Sequence, residues 1–324
     1  MRSSEARNSD LSSLFKHLSE AHPEAVSYLK FQYRMNKEIM KISNQLIYNY
    51  KLRCGNEESR YLLLELPEPE KIDEIHLFSS QINHQSKCPG DSTCWIKYVL
   101  NPKNSVIFLN TDGLNCTEDS NNNLIYNETE AEVVLQIVKS LKNCGISNSS
   151  IGIISPYRAQ IKYLHTFFKK ELKSIKGLDI HTVDKFQGKD KDCIIVSLVR
   201  SNKNGNIGML LKDWRRINVT FTRAKRKLIV IGSMDTLENN FLFKEFFELV
   251  KDNHWNYNVP KNFKENHVFI PETEKNESSL SDVENKNRHD KNIYMKEKQR
   301  IIKQSQAKII LKNSQIISSI LDEY

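Results

Sequence analysis

Apolar residues along the chain switch between two periods. Short runs at Ser105 to Leu109, Ile151 to Ile154, Cys193 to Val199 and Leu228 to Ile231 are apolar at almost every position and read as strands of a buried sheet. Between them the spacing turns helical. Thr129 and Glu132 form a capping box ahead of Val133, Val134, Ile137, Val138 and Leu141, and Gly145 ends that helix. A second helix starts after Ser155-Pro156 and runs to about Lys176, with Gly177 beyond it. A third is capped by Asp213 and places Ile217, Phe221, Ala224 and Leu228 at i, i+4, i+7 and i+11, beside a polar face of Arg216, Thr220, Arg223 and Lys227. Strands alternating with helices predict an α/β fold with a mainly parallel sheet flanked by helices.

The flanks are less regular. Leu11 to Leu18 reads as a short helix, and residues 1–30 as an N-terminal extension. Asn36 can cap a helix that turns Ile39, Ile42 and Leu46 inward, which leaves Tyr33 and Arg34 on the loop entering it. Tyr61 to Leu66 reads as a strand, and residues 67–104 as an irregular edge insertion on a domain that spans 31–260. Phe241 to Val250 is the last predicted helix of that domain. Residues 261–292 are charged and rich in Asn, Glu and Lys, the composition of a linker. Residues 293–324 form a flexible, basic, amphipathic tail in which Ile302, Ile309 and Ile316 stand seven apart, too few for a coiled coil.

Composition narrows the partners. Among 324 residues the formal net charge is +8, which suits a polyanion and equally serves solubility. The longest apolar runs are far shorter than the ~20 residues of a membrane span, so a soluble protein is expected. Six cysteines at irregular spacings, without an apolar leader, predict free thiols in a reducing compartment. His76, His84, Cys88 and Cys94 are metal-ligand residue types, yet their gaps lack the usual Cys-x-x-Cys rhythm, and no metal is assigned. Arg223 and Arg34 have the planar fork that grips a phosphate at two points, and Tyr33 offers a flat face for a base. Taken alone, Arg216 and Lys227 are solvated charges on a helix face.

Four motifs carry a resemblance. Gln187-Gly-Lys-Asp190-Lys-Asp and Asn218-Val-Thr-Phe-Thr-Arg223-Ala-Lys resemble motifs V and VI of superfamily 1 helicases; Gln32-Tyr33-Arg34-Met35 resembles motif IV of the 5′ to 3′ subgroup, and Ser155-Pro156-Tyr157-Arg158 its loop toward nucleic acid. Together with the connecting text Leu210-Leu-Lys-Asp-Trp-Arg-Arg216, they are similar to the C-terminal helicase region of the eukaryotic DNA replication ATP-dependent helicase/nuclease, over roughly Leu11 to Gly232. The resemblance implies a second RecA-like domain. It implies catalytic roles for Arg34 and Arg223, nucleotide contacts by Tyr33, Gln187, Gly188 and Asp190, and nucleic-acid contacts by Ser155, Pro156, Tyr157, Arg158, Thr182 and Asp184. Asp190 stands where many relatives have Glu, and Thr220-Phe221 where relatives carry Ala and an aliphatic residue.

No Gly-x-x-x-x-Gly-Lys-Ser/Thr occurs in the chain, and no apolar strand ends in Asp-Glu. The expectation is therefore a fragment or an incomplete gene model, inactive alone, whose ATP and Mg²⁺ are held mainly by a missing first domain. The family's iron–sulfur cluster belongs to its nuclease region, which is absent here. Implied partners are single-stranded DNA, the first RecA-like domain and a single-stranded-DNA-binding protein, in the nucleus or also in mitochondria, in Okazaki-fragment processing and end resection. Two other readings stay open: an RNA helicase of the nonsense-mediated decay group, and a non-catalytic nucleic-acid-binding module.

Overall fold

The apolar runs become neighbouring strands. The computed structural model describes residues 14–82, 88, 90, 91, 93–121, 124–267 and 269. In it β1 (Val106–Asn110), β2 (Ile151–Ser155), β3 (Asp179–Thr182), β4 (Lys191–Ser197), β5 (Ala224–Gly232) and β6 (Asn256–Asn258) form one sheet in the order β6-β1-β5-β4-β2-β3. Every pairing in that sheet is parallel. Parallel strands need helices on both faces, and the strand side chains divide accordingly. Val106, Phe108, Ile194, Val196, Leu228 and Val230 enter one hydrophobic cluster. Ile107, Leu109, Cys193, Ile195, Ile229 and Ile231 enter the other.

Helices cover the two clusters. Besides the exposed α1 (Leu14–Ala21), the first face is covered by α2 (Lys37–Leu46), while α3 (Lys71–Ile82) and α4 (Trp95–Leu100) lie toward the second. The second face also receives α5 (Glu128–Asn143) and α6 (Arg158–Glu171), after which the short α7 (Val183–Phe186) crosses from β3 to β4. The first is completed by α8 (Trp214–Phe221) and α9 (Phe241–Asp252), and α10 (Phe263–Asn266) follows β6. This is the α/β arrangement of a RecA-like domain. No helix among the described residues is long and apolar enough to cross a membrane.

Several local expectations change. The third predicted helix stops at Phe221, because Thr220 and Thr222 turn their hydroxyls back onto the carbonyls of Arg216 and Asn218, both at 2.8 Å. Ala224, Lys227 and Leu228 are therefore strand residues of β5 and not part of a helix face. Asn127, and not the Thr129 box, caps α5 by accepting from the Glu130 N–H at 3.0 Å. Residues Leu62 to Leu66 are irregular rather than a strand, and α6 ends at Glu171, short of Lys176. The region 67–104 is no loose insertion: Trp95, Ile96, Val99 and Leu100 of α4 are all core. Phe263 and His267 are buried beyond residue 260, while the tail at 293–324 lies outside the described residues.

Lys227 is the clearest reversal. Its side chain shares the strand parity of Ile229 and Ile231, is fully buried, and donates from Nζ to the carbonyls of Asn101 and Asn104 at 2.9 and 2.5 Å. It thus caps the C-terminus of α4, where a cation is favoured. Burial pulls its pKa down from 10.5 to about 8. Between those values the unfolded chain binds more protons than the folded one, so this lysine makes stability rise with pH across that window. Urea midpoints measured from pH 7.5 to 10 should show the parent gaining on Lys227→Met as pH rises, the buried thiols acting on both alike; a difference that does not change with pH would contradict the assignment.

Candidate functional site

The register of β4 on β5 builds the site. Lys191 pairs with Ala224, and the Lys191 N–H donates to the Arg223 carbonyl at 3.1 Å. Asp190 and Arg223 each precede a paired residue, so the parallel ladder sets them side by side at the N-terminal edge of the sheet. The third member is stapled on from the N-terminal segment. The Asn36 N–H donates to the Lys225 carbonyl at 3.0 Å, and its side-chain amide donates to the Arg226 carbonyl at 2.9 Å. Gln32 folds the turn between: its Oε1 accepts from the N–H groups of Arg34 and Met35, both at 2.9 Å, and its Nε2 donates to the Met35 carbonyl at 2.8 Å.

The result is one carboxylate between two guanidiniums. Arg34 Nε lies 2.9 Å from Asp190 Oδ2, and Arg223 NH1 lies 3.2 Å from Oδ1. Arg34 also donates to the Thr222 carbonyl at 3.4 Å. Arg223 is nearly buried, and its Nε donates back to the Val219 carbonyl of α8 at 3.0 Å, so its fork is oriented before any ligand arrives. Burial, then the nearby Arg34 charge, lower the Arg223 pKa, and Asp190 opposes them. Two cations against one anion leave a net positive charge, the condition for seating a phosphate oxygen.

Tyr33, by contrast, is two-thirds exposed. A Cβ at Gly55 would stand 2.1 Å from its ring, so only glycine at 55 lets the ring lie against the chain there. Its other face is open to solvent. Gln187 and Gly188 are exposed at the turn leading to Asp190, and Gly188 has φ +83°. The structure thus brings Arg34, Asp190 and Arg223 into contact, with Tyr33, Gln187 and Gly188 on the adjoining loops.

The residues expected to meet nucleic acid lie at the opposite, C-terminal edge. Ser155 ends β2, Thr182 ends β3, and these two residues are register partners. Ser155 and Tyr157 are buried, which departs from their expected role as contacts: the Ser155 hydroxyl accepts from the Tyr157 N–H at 3.4 Å, and the Tyr157 hydroxyl donates to the Ile207 carbonyl at 3.3 Å. Pro156 is half-buried, whereas Arg158 and Asp184 are exposed, and Asp184 lies 3.5 Å from Arg216. Beside them is an open groove of about 500 Å³, lined by Arg158, Lys162, His165, His181, Thr182 and Lys185 over Ile161 and Ile180. Lys162 and Lys185 were not singled out from the sequence. Their signal is only that they fall on the outward faces of α6 and α7.

A buried polar network backs this edge. Glu130 accepts from the Ser197 hydroxyl at 2.6 Å and from the Val199 N–H at 3.0 and 3.1 Å, and the Asn127 amide donates to the Val199 carbonyl at 3.1 Å. Val199 has φ +73°, a costly conformation for a β-branched residue, held by these bonds on both sides. Arg200 follows, paired with the similarly buried Glu118 at 2.9 Å. The two carboxylates at opposite edges should therefore behave differently in urea denaturation. Glu130→Ala strands buried donors and should cost about 2–3 kcal/mol. Asp190→Ala breaks a partly solvated ion cluster and should cost no more than about 1 kcal/mol. The reverse order would mean that the arginine cluster is a structural rather than a ligand-directed feature.

Comparison with known proteins places this geometry in context. A family described as AAA domain matches residues 11–235. The DNA replication ATP-dependent helicase/nuclease of Schizosaccharomyces pombe is 41% identical over 250 residues, covering 77% of this chain and 17% of that protein. The protein of the same description from Saccharomyces cerevisiae is 43% identical over 252 residues, covering 77% and 16%. The one from Homo sapiens is 40% identical over 226 residues, covering 69% and 20%. The chain spans about a fifth of the length of the curated relatives it matches.

Proposed function

The chain belongs to the AAA domain family, and from that premise we propose that it is the second RecA-like domain of a 5′ to 3′ DNA replication ATP-dependent helicase/nuclease. The observation that carries the reading is the contact of Arg34 and Arg223 with one carboxylate, Asp190, which unites three separate motifs at one sheet edge. ATP, with Mg²⁺, is held mainly by a first domain that supplies the P-loop. This chain closes on the nucleotide from the other side. The chain by itself turns over no ATP.

Charge grows on the transferring phosphoryl group in the transition state, and a guanidinium already anchored to Val219 and Asp190 meets it without reorganising. Arg34 shares that load. Asp190 holds both forks in place, and this is its main role; a contact to the ribose, reached across the Gly188 turn, is secondary. Tyr33 stacks on the adenine with its solvent-facing side. Single-stranded DNA runs along the basic groove of Arg158, Lys162 and Lys185, with Thr182 at its end. The burial of Ser155 and Tyr157 supports a role for them in shaping that loop rather than touching the strand. The chain works in the nucleus, with a single-stranded-DNA-binding protein as partner. None of its six cysteines is assigned to the iron–sulfur cluster of the nuclease region.

In the protein carrying both RecA-like domains, Arg223→Ala should lower kcat by about 10³-fold or more with nucleotide binding retained. Arg223→Lys should not restore it, because a point charge lacks the fork. Tyr33→Ala should instead raise KM, since stacking on adenine is uniform binding. Steady-state ATPase kinetics with single-stranded DNA present distinguish these, and parental turnover in all three variants would sink the assignment.

Binding of single-stranded DNA by this chain should be weak and strongly salt-dependent. The slope of log affinity against log salt should be about −0.7 per phosphate neutralised. Combining Lys162→Glu with Lys185→Glu should lower affinity and flatten the slope. Fluorescence anisotropy across a salt series measures both, and an unchanged slope would remove the groove from the binding path.

A further inference from the structure

At the β6 side of the sheet, away from the basic groove along β3, four metal-ligand side chains converge. Three come from the region 67–104: His76 from α3, Cys88 from the loop beyond it, and Cys94 at the N-terminus of α4. The fourth is His267, which follows α10 and stands more than 170 positions along the chain from Cys94. His84, named beside the other three from the sequence, lies outside the described residues, and His267 takes its place. One ligand atom from each of the four lies within 4.8 Å of every other.

We propose that His76, Cys88, Cys94 and His267 are the ligands of a structural zinc ion. Zn–N and Zn–S bonds of about 2.0 and 2.3 Å set the edges of a tetrahedral Cys₂His₂ site at roughly 3.3–3.8 Å. His76 Nε2 is 3.0 Å from Cys94 Sγ, and His267 Nε2 is 3.2 Å from the same sulfur, both a few tenths of an ångström shorter than those edges. The two imidazoles stand at 89° to each other with centroids 5.1 Å apart, so their edges point at a common centre instead of stacking. The His76 Nδ1–H donates to the Ile72 carbonyl at 2.7 Å, which fixes the tautomer that presents Nε2 as a lone pair. His267 is buried and turns Nε2, not Nδ1, toward the Cys94 sulfur, so Nε2 is its ligand atom. Two thiolates and two imidazoles on four protein residues make a closed site, soft enough to select zinc and without an open position for chemistry.

The surroundings say what the ion would do. Trp95 and Phe263 pack edge to face, and Trp95 meets the His267 ring at 6.2 Å, so the site is sealed on the core side. Tyr257 of β6 donates its hydroxyl to the Thr93 carbonyl, tying the sheet edge to the same loop. A Cβ at Gly90, whose φ is +67°, would crowd the His76 ring at 3.3 Å, so the loop is shaped to pass close beside a ligand. A zinc ion would lock the chain after α10 onto α3 and α4.

The test reads metal, not ATP turnover. The chain, purified without added metal and desalted, should contain one zinc per molecule by elemental analysis. Cys94→Ser and His267→Ala should bring zinc to background, while Cys54→Ser, which alters a half-buried thiol elsewhere, should leave it in place. Chelator should lower the melting temperature of the parent and leave that of Cys94→Ser unmoved. If the variants fold poorly, the parent decides: stripped of zinc and titrated with Co²⁺, it should develop saturable thiolate-to-cobalt charge-transfer absorption. A folded parent that takes up neither zinc nor cobalt stoichiometrically, or variants that keep parental zinc, would overturn the site.

Discussion

The parallel pairing of β4 with β5 is the constraint on which the rest depends. These are the central strands, matched from Cys193 on Lys227 to Ser197 on Ile231 above an irregularity that shifts the register between Lys191 and Cys193, and the apolar side chains of the matched stretch divide between the two faces of the core. A shift of one residue would exchange the two faces and bury the wrong set. Pairing along these two strands also positions chemistry at both ends. Before the strands begin, it sets Asp190 against Arg223. After they end, it places Ser197 and Val199 over Glu130 and forces the left-handed turn at Val199. The arginine cluster and the strained loop lie at the two ends of this one strand pair, with the register irregularity between them.

Much of this was legible from the residues. Runs of apolar β-branched residues mark strands of a parallel sheet because such strands have no solvent face, and β1, β2, β4 and β5 all fall on those runs. The cap at Asn36 and the stop at Gly145 hold, because each rests on local chemistry: an amide accepting from Ile39, and a glycine at φ +85°. The motif residues Arg34, Asp190 and Arg223 do meet, though nothing local in the sequence shows that they share one carboxylate.

What was not legible is non-local. Helical spacing carried Ala224 and Lys227 into a helix, whereas pairing with β4 claims them for the sheet. A lysine on a strand reads as exposed. Only the carbonyls of Asn101 and Asn104 at the end of α4 explain why it is buried. The region 67–104 looked loose because its polar residues dilute the helical period, yet Trp95 and Val99 are anchored in the core. Likewise the spacing of His76, Cys88 and Cys94 carried no rhythm, because their fourth neighbour, His267, is remote in the chain and only the fold delivers it.

The two candidate edges are joined by the shortest crossover in the sheet. Thr182 ends β3 at the groove, and only the four residues of α7 and one turn separate it from Asp190 at the other edge. Val183 and Phe186 bury this link in the core. A Cβ at Gly152 would come within 2.5 Å of Phe186, so the aromatic ring rests directly on the β2 backbone, and a side chain at 152 would lift it away. A link this short and this tightly packed has little slack. A displacement of Asp190 must be absorbed either at the Gly188 turn or by moving Phe186, whose ring contacts that of the groove-lining His181. Gly188 has nothing within 4 Å of its Cβ position and tolerates positive φ, so it is the one point on the link where torsion can relax without breaking core contacts. The stiffness of that turn therefore decides whether the N-terminal edge and the groove move together or apart.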